Sequence, residues 1–223
     1  MDTIPSHGPQ GLERRDYRLA IFDFDGTLAD SFPWFVGVLN GVADRYGFNR
    51  VQAGEVERLR GYDARQIMRH LGVSNWKLPF IANHMRELMA RDIDGIGLFD
   101  GVPEMLRVLN GRGVTVAIVS SNSVENIRGI LGAEAAGRVA HFGCGASLFG
   151  KAAKFRKMLR MTGVPADQAV AIGDEVRDID AARKVGIGCA AVTWGYARGD
   201  ALAARRPDRL LTRVEEIPGL FGG

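Results

Sequence analysis

The 223-residue sequence predicts an α/β fold: a parallel sheet core with a block of helices inserted after its first strand. Three observations predict it. Apolar, β-branched runs recur, and each stops abruptly on polar or glycine residues, as strands buried on both faces do. Helical stretches alternate with these runs, the signature of a parallel sheet. The first two runs, ending at Phe24 and beginning at Val114, lie about 90 residues apart, whereas a strand, one helix and the next strand normally follow within roughly 30. An extra unit must stand between them.

Taken in order, residues 1–15 are polar with Pro and Gly and read as a flexible tail. The core is expected over 16–31 and 100–223, and the helical insert over 32–99. Leu19 to Phe24 reads as the first buried strand, with Asp25-Gly26 as its turn. In the insert, Phe35, Val38, Leu39, Val42 and Tyr46 share one helical face. A second helix is expected at Asp63, which pairs with Gln66 as a capping box. A third runs near Phe80 to Met89. Asp30-Ser31 and Phe99-Asp100-Gly101 are the expected hinges. Pro103 then opens a helix to Asn110, and the strand ending at Val119 follows. Strands near Val139 to Phe142, Gln168 to Ile172 and Cys189 to Thr193 alternate with further helices. These start near Ser123 or run from Lys151 to Met161 and from Val176 to Val185, the last stopped by Gly186.

Composition narrows the function classes. Hydrophobic content of 46% is ordinary for a globular protein, and the net charge is only +3. Basic residues are scattered, and the cluster from Ala204 to Arg209 reads as a solvated loop, so no nucleic-acid partner is expected. No apolar run approaches 18 residues, which argues against a membrane partner. The first 15 residues lack the apolar core of a signal peptide. Cys144 and Cys189 have no Cys-x-x-Cys spacing and read as reduced, buried thiols of a cytoplasmic protein. Trp34, Trp76 and Trp194 read as packing residues.

Four strand or helix ends carry chemistry. Asp23 and Asp25 sit where a buried strand stops, the mouth at which open α/β sheets bind ligands. Burying carboxylates there is costly unless something uses or pairs them. Ser120, Ser121 and Asn122 close the second strand with hydroxyls, an amide and free N–H groups before a helix, a good phosphate-oxygen site, though also an ordinary N-cap. Lys151 begins a basic amphipathic helix, where a cation opposes the helix dipole unless an anion is near. Asp174 follows Gly173 at another strand end, and Asp178 lies four residues on, on the same face if the helix has begun. Together these acids supply the hard oxygen ligands that Mg²⁺ prefers.

In order and spacing, Asp23-Phe24-Asp25-Gly26-Thr27, Ser120, Lys151 and Gly173-Asp174 with Asp178 resemble the four motifs of the haloacid dehalogenase superfamily, from about Tyr17 to about Leu211. The resemblance implies a Rossmann-like core with an inserted α-helical cap domain of the phosphoglycolate phosphatase kind. It implies Asp23 as a phosphoryl-accepting nucleophile and Asp25 as its acid/base partner. Mg²⁺ is then held by Asp23, the Asp25 carbonyl and Asp174, with Asp178 acting through water or orienting ligands. Ser120, Ser121, Asn122 and Thr27 would position the phosphoryl group. The implied partner is a small phosphorylated metabolite, and the chain a monomer or homodimer. An intact Asp-x-Asp favours phosphate esters over halides or phosphonates, whose cleavage in relatives proceeds without the second acid. It does not separate a phosphatase from a phosphomutase, and a phospho-acceptor switch is a further alternative. Cap residues should choose the substrate, and Arg60, beside Gly61, is the candidate. Lys151 is not followed by the proline often found in phosphoglycolate-type relatives, which leaves Lys154 as a rival for the phosphate role.

Overall fold

A computed structural model describes residues 16–145 and 150–222. The expected N-terminal tail lies outside the described residues. Six strands form one parallel sheet: β1 (Leu19–Phe22), β2 (Thr115–Ile118), β3 (His141–Phe142), β4 (Ala169–Gly173), β5 (Gly188–Val192) and β6 (Arg209–Leu211), in the order β3-β2-β1-β4-β5-β6. The Rossmann-like reading holds: β1 pairs with β2 on one side and β4 on the other, so the order reverses there.

Alternation within each strand builds two cores. Ala20 and Phe22 of β1 join Leu106 and Leu109 of α5 (Val102–Gly111) and Ile127 of α6 (Val124–Gly137) on one face. Leu19 and Ile21 join Phe155 and Met158 of α7 (Lys151–Thr162) and Ile179 and Ala182 of α8 (Val176–Val185) on the other. Every β1 residue is fully buried, which explains why its sequence reads apolar without alternation.

Four helices stand between β1 and α5: α1 (Phe32–Tyr46), α2 (Val56–Leu59), α3 (Ala64–His70) and α4 (Leu78–Arg91). The capping box is formed as expected, with Asp63 accepting from the Gln66 amide. The segments that leave and rejoin the core run side by side. Ala29 and Leu98 form an antiparallel bridge, and the Phe99 amide donates to the Leu28 carbonyl at 3.0 Å. Val51, Leu59 and Leu71 form a separate small apolar cluster in this insert.

Several expectations need correction. Strand ends differ from the expected ones by a residue or two. The loop expected from Ala204 to Arg209 is found as the exposed connection between α9 (Gly199–Ala204) and β6, two elements not expected from the sequence. Both elements are too short for a periodic pattern, and β6 is an edge strand whose Leu210 is exposed. Trp76 is 69% exposed and is not a packing residue; it meets exposed Phe80 edge to face. Trp34 and Trp194 are part-buried against the main core. Cys189 is buried, but Cys144 is only half-buried; both are free.

Candidate active site

β1 stops at Phe22, yet the Asp23 amide still donates to the Ile172 carbonyl at 2.8 Å. Asp23 is thereby fixed where the strand order reverses, the ligand crevice of open sheets. The turn that follows requires Gly26, whose φ of +74° lies in the left-handed region. A Cβ there would also collide with Asp174 and Tyr196. This close approach brings the β1 and β4 mouths together.

Asp23, Asp174 and Asp178 are 4%, 0% and 2% exposed, and each offers an oxygen within 4.8 Å of the others. Asp174 precedes α8, so it does not share a helix face with Asp178 as the spacing suggested. The turn at the start of α8 brings them together. Asp178 instead closes a capping box with Glu175, whose amide donates to Asp178 Oδ2 at 3.0 Å. Lys151, the first residue of α7, donates to Asp23 Oδ2 at 2.5 Å and also to Asp178. Burial pulls the Lys151 pKa down, but Asp178 and then Asp23 outweigh it, leaving the ammonium more strongly protonated than usual. Burial, with Asp23 next, holds the Asp174 pKa well above the usual carboxylate range. Burial also raises Asp178 to about 6, against the opposing pull of Lys151. Lys154 points elsewhere, donating to the Cys144 carbonyl at 3.0 Å.

Asp25 stands on the open side of this cluster. Asn122 Nδ2 lies 3.3 Å from each Asp25 oxygen, and Ser120 Oγ lies 3.4 Å from Oδ2. Burial, and then the Asp23 charge, raise the Asp25 pKa to about 6, so both protonation states are accessible near neutrality. Ser120 Oγ also accepts from the Asn122 amide at 3.0 Å, so that amide is already engaged. The Ser121 carbonyl accepts from Arg86 of α4 at 2.9 Å.

Two of the expected site residues are held by protein partners. Thr27, expected at the phosphate, is fully buried and donates to Asp174 Oδ1 at 2.7 Å. With the Tyr196 amide on Oδ2 at 2.8 Å, it fixes that carboxylate. Arg60, expected at the substrate, directs Nε to the Tyr196 carbonyl at 3.0 Å and Nη2 to the Gly195 carbonyl at 2.9 Å. Its Nη1 pairs with Glu57 at 2.9 Å. Arg60 thus ties the insert to the loop after β5, because two converging carbonyls offer a fork-shaped donor a better-defined partner than solvent does.

Arg177 and Tyr196 were not singled out from sequence. Arg177 pairs with Glu175 at 2.6 Å, and its Nε is buried with no hydrogen-bond partner among the described residues. Glu175, followed by Asp23, raises its pKa despite burial. The signal was present: Arg177, like Lys151, is a cation in the first turn of a helix. Tyr196 follows β5, another strand mouth, and its hydroxyl lies 3.0 Å from Ser31 Oγ.

The donor set suits a hard divalent cation. Five carboxylates, those of Asp23, Asp25, Asp174, Glu175 and Asp178, crowd this edge against the cations Lys151 and Arg177. Burial first, and then the neighbouring carboxylates, disfavour the Asp174 anion, and a bound cation would offset both. All-oxygen ligands favour Mg²⁺ over softer metals.

Comparison with known proteins shows the family. A family model described as haloacid dehalogenase-like hydrolase matches residues 20–192. A phosphoglycolate phosphatase of Synechococcus elongatus is 32% identical over 200 residues, covering 88% of this chain and 93% of that one. A 5′-nucleotidase of Pseudomonas aeruginosa is 29% identical, covering 86% and 89%. Among solved structures, a haloacid dehalogenase-like family hydrolase of Streptococcus pneumoniae superposes with a TM-score of 0.75 at 21% identity, covering 92% and 99%. CbbY of Rhodobacter sphaeroides, solved in complex with phosphate, gives 0.71 at 22%, covering 90% and 96%. These two establish likeness of fold. With its four motif clusters brought to one sheet edge, the chain belongs to the haloacid dehalogenase-like hydrolase family, as a phosphoglycolate phosphatase-like member.

Proposed function

We propose that the chain is a Mg²⁺-dependent phosphomonoester hydrolase working through an aspartyl-phosphate on Asp23. The observation that carries this reading is the Lys151 ammonium shared by Asp23 and Asp178, beside Asp174 and facing a half-buried Asp25 with a pKa of about 6. An Asp23 carboxylate oxygen attacks phosphorus, and the bond from phosphorus to the ester oxygen breaks. Protonated Asp25 gives its proton to the leaving alkoxide. The resulting Asp25 carboxylate then takes a proton from the water that attacks the phosphoryl group, which frees Asp23 and restores the acid. Lys151 lowers the repulsion between the anionic nucleophile and an anionic ester. Ser120 and Asn122 hold Asp25 in place and bound the phosphoryl site.

Asp23, Asp174 and the Asp25 carbonyl are the groups to hold Mg²⁺, with Asp178 orienting them. When bound, the ion supplies positive charge at the transferring phosphoryl group. Residues 32–99 serve as a cap, with the paired segments at Ala29 and Leu98 as its hinge. The substrate is a small phosphorylated molecule, phosphoglycolate being one candidate because relatives carry that name. Two free thiols and the absence, among the described residues, of a helix able to cross a membrane fit a cytoplasmic setting.

The test is phosphate release from a panel of monoesters. Release should fall to background when EDTA removes divalent ions and return on adding Mg²⁺ but not Na⁺. Release that ignores EDTA would overturn the metal-dependent reading.

A second expectation concerns Asp25 in the metal-free protein. Its pKa lies at about 6 in the fold, against 3.8 ordinarily. Protonation therefore favours the fold fully below 3.8, and that contribution is lost as pH rises through 6. Asp25→Asn stays neutral throughout. It should be more stable than the parent at pH 7.5 by up to about 3 kcal/mol, with most of the gain gone by pH 4. Urea melts in EDTA at both pH values decide it, and an equal difference at both would disprove the charge argument.

A further inference from the structure

The insert does not close on itself. Between its helices and the sheet edge lies a cavity of about 1110 Å³, with Asp25 in its wall. It is therefore continuous with the proposed phosphoryl site. A pocket of this size exceeds the usual 300–1,000 Å³ range for ligand sites. At the roughly 30 Å³ that one water occupies in the liquid, a glycolate-sized leaving group of five heavy atoms would fill only about 150 Å³.

The far wall is apolar. Phe35 and Leu39 of α1, Ile67 of α3, and Ile81 and Met85 of α4 line it, and all five are only part-buried. Three polar side chains in the wall direct polar atoms to protein partners. Asn40 exchanges two hydrogen bonds with the Val51 backbone. Asp63 caps α3. Arg60 is held by two carbonyls and Glu57. At the sheet-edge end the lining carries Asp25, Arg86, Asn122, Glu175 and Arg177. The cavity is thus polar at the phosphoryl end and apolar beyond it.

We infer that the natural substrates are phosphomonoesters of large apolar alcohols, with the phosphate at Asp23 and an aliphatic or aromatic leaving group of about eight carbons or more under the cap. This inference rests on the hydrolase reading and deepens it by naming the leaving group. A two-carbon carboxylate would leave most of the cavity wall in contact with water. An alkyl or isoprenyl chain would cover it, each buried methylene contributing about 0.8 kcal/mol.

The experiment uses n-alkyl monophosphates from two to twelve carbons, below their micelle concentrations, beside phosphoglycolate and AMP, with Mg²⁺ and an Asp23→Asn control. The expected kcat/KM rises with chain length, up to about fourfold per methylene, and passes phosphoglycolate and AMP by at least tenfold. A flat series, or a preference for phosphoglycolate or AMP, overturns the inference while leaving the hydrolase intact. A second arm measures binding of non-hydrolysable n-alkylphosphonates to the parent protein by calorimetry. Chain-length-dependent binding with no phosphate released from any ester upholds the leaving-group class and overturns the hydrolase. Absence of both overturns both. Met85→Gln, close in volume but polar, should flatten the slope in either arm. An unchanged slope in Met85→Gln would count against this cavity as the chain's seat.

Discussion

Asp23→Asn is expected to lower turnover by about 10⁴-fold or more, the scale on which removal of a nucleophile acts. The amide keeps the carboxylate's shape but cannot attack phosphorus at a useful rate. Stability should change far less, because two effects oppose each other. The variant loses one of the two carboxylates that share the Lys151 ammonium. It also loses the negative charge that raises both Asp25 and Asp174. A net change within about 2 kcal/mol follows if neither dominates. Rapid acid quenching during turnover should trap phosphate on the parent chain as an acyl phosphate that hydroxylamine releases. No label should form on Asp23→Asn. A variant that keeps a hundredth of parental turnover, or still carries the label, would sink the assignment of Asp23.

The site was legible in sequence wherever a carboxylate or lysine stood at the end of an apolar strand or the start of a helix. Asp23, Asp25, Asp174 and Lys151 announce themselves because burying such groups is expensive without partners. The choice between Lys151 and Lys154 was not legible, since both lie in the first turn of α7 and the turn's orientation decides which one meets Asp23. Thr27 and Arg60 show a different limit. Their residue types suit phosphate and carboxylate ligands, but the partners they find, Asp174 and the carbonyls of Gly195 and Tyr196, lie more than 130 positions away. Such pairings depend on how the insert and the loop after β5 settle onto the sheet edge. The strand-helix alternation was readable for the same reason the core is: both faces of the sheet are covered. The α9–β6 segment was not, because an edge strand of three residues carries no comparable burial pattern.

Lys151→Met should be the most destabilising single change in the site. The methionine fills similar space but leaves Asp23 and Asp178 buried without their shared ammonium. Removing one partner of a buried ionic cluster typically costs about 3–5 kcal/mol, and loss of a charge that stabilises the transition state typically costs 10²–10³ in rate. The pH dependence separates charge from packing. Asp178 titrates at about 6 in the parent, with Lys151 the largest influence opposing its protonation. Without that cation its pKa must rise further, so the variant takes up a proton at higher pH than the parent. At pH 8 the parent therefore holds its full electrostatic advantage. As pH falls toward 5 Asp178 becomes neutral in both proteins, and the parental ammonium is left with one charged partner fewer. The stability gap should shrink across that range in EDTA, and Mg²⁺ at pH 8 should narrow it too, because a cation among the same oxygens offsets the same repulsion. Denaturant melts at pH 8 and pH 5, with and without Mg²⁺, test both. A gap that stays constant under all four conditions would assign the loss to the packing of the lysine's aliphatic stem, and Lys151 would then have no electrostatic claim on the nucleophile.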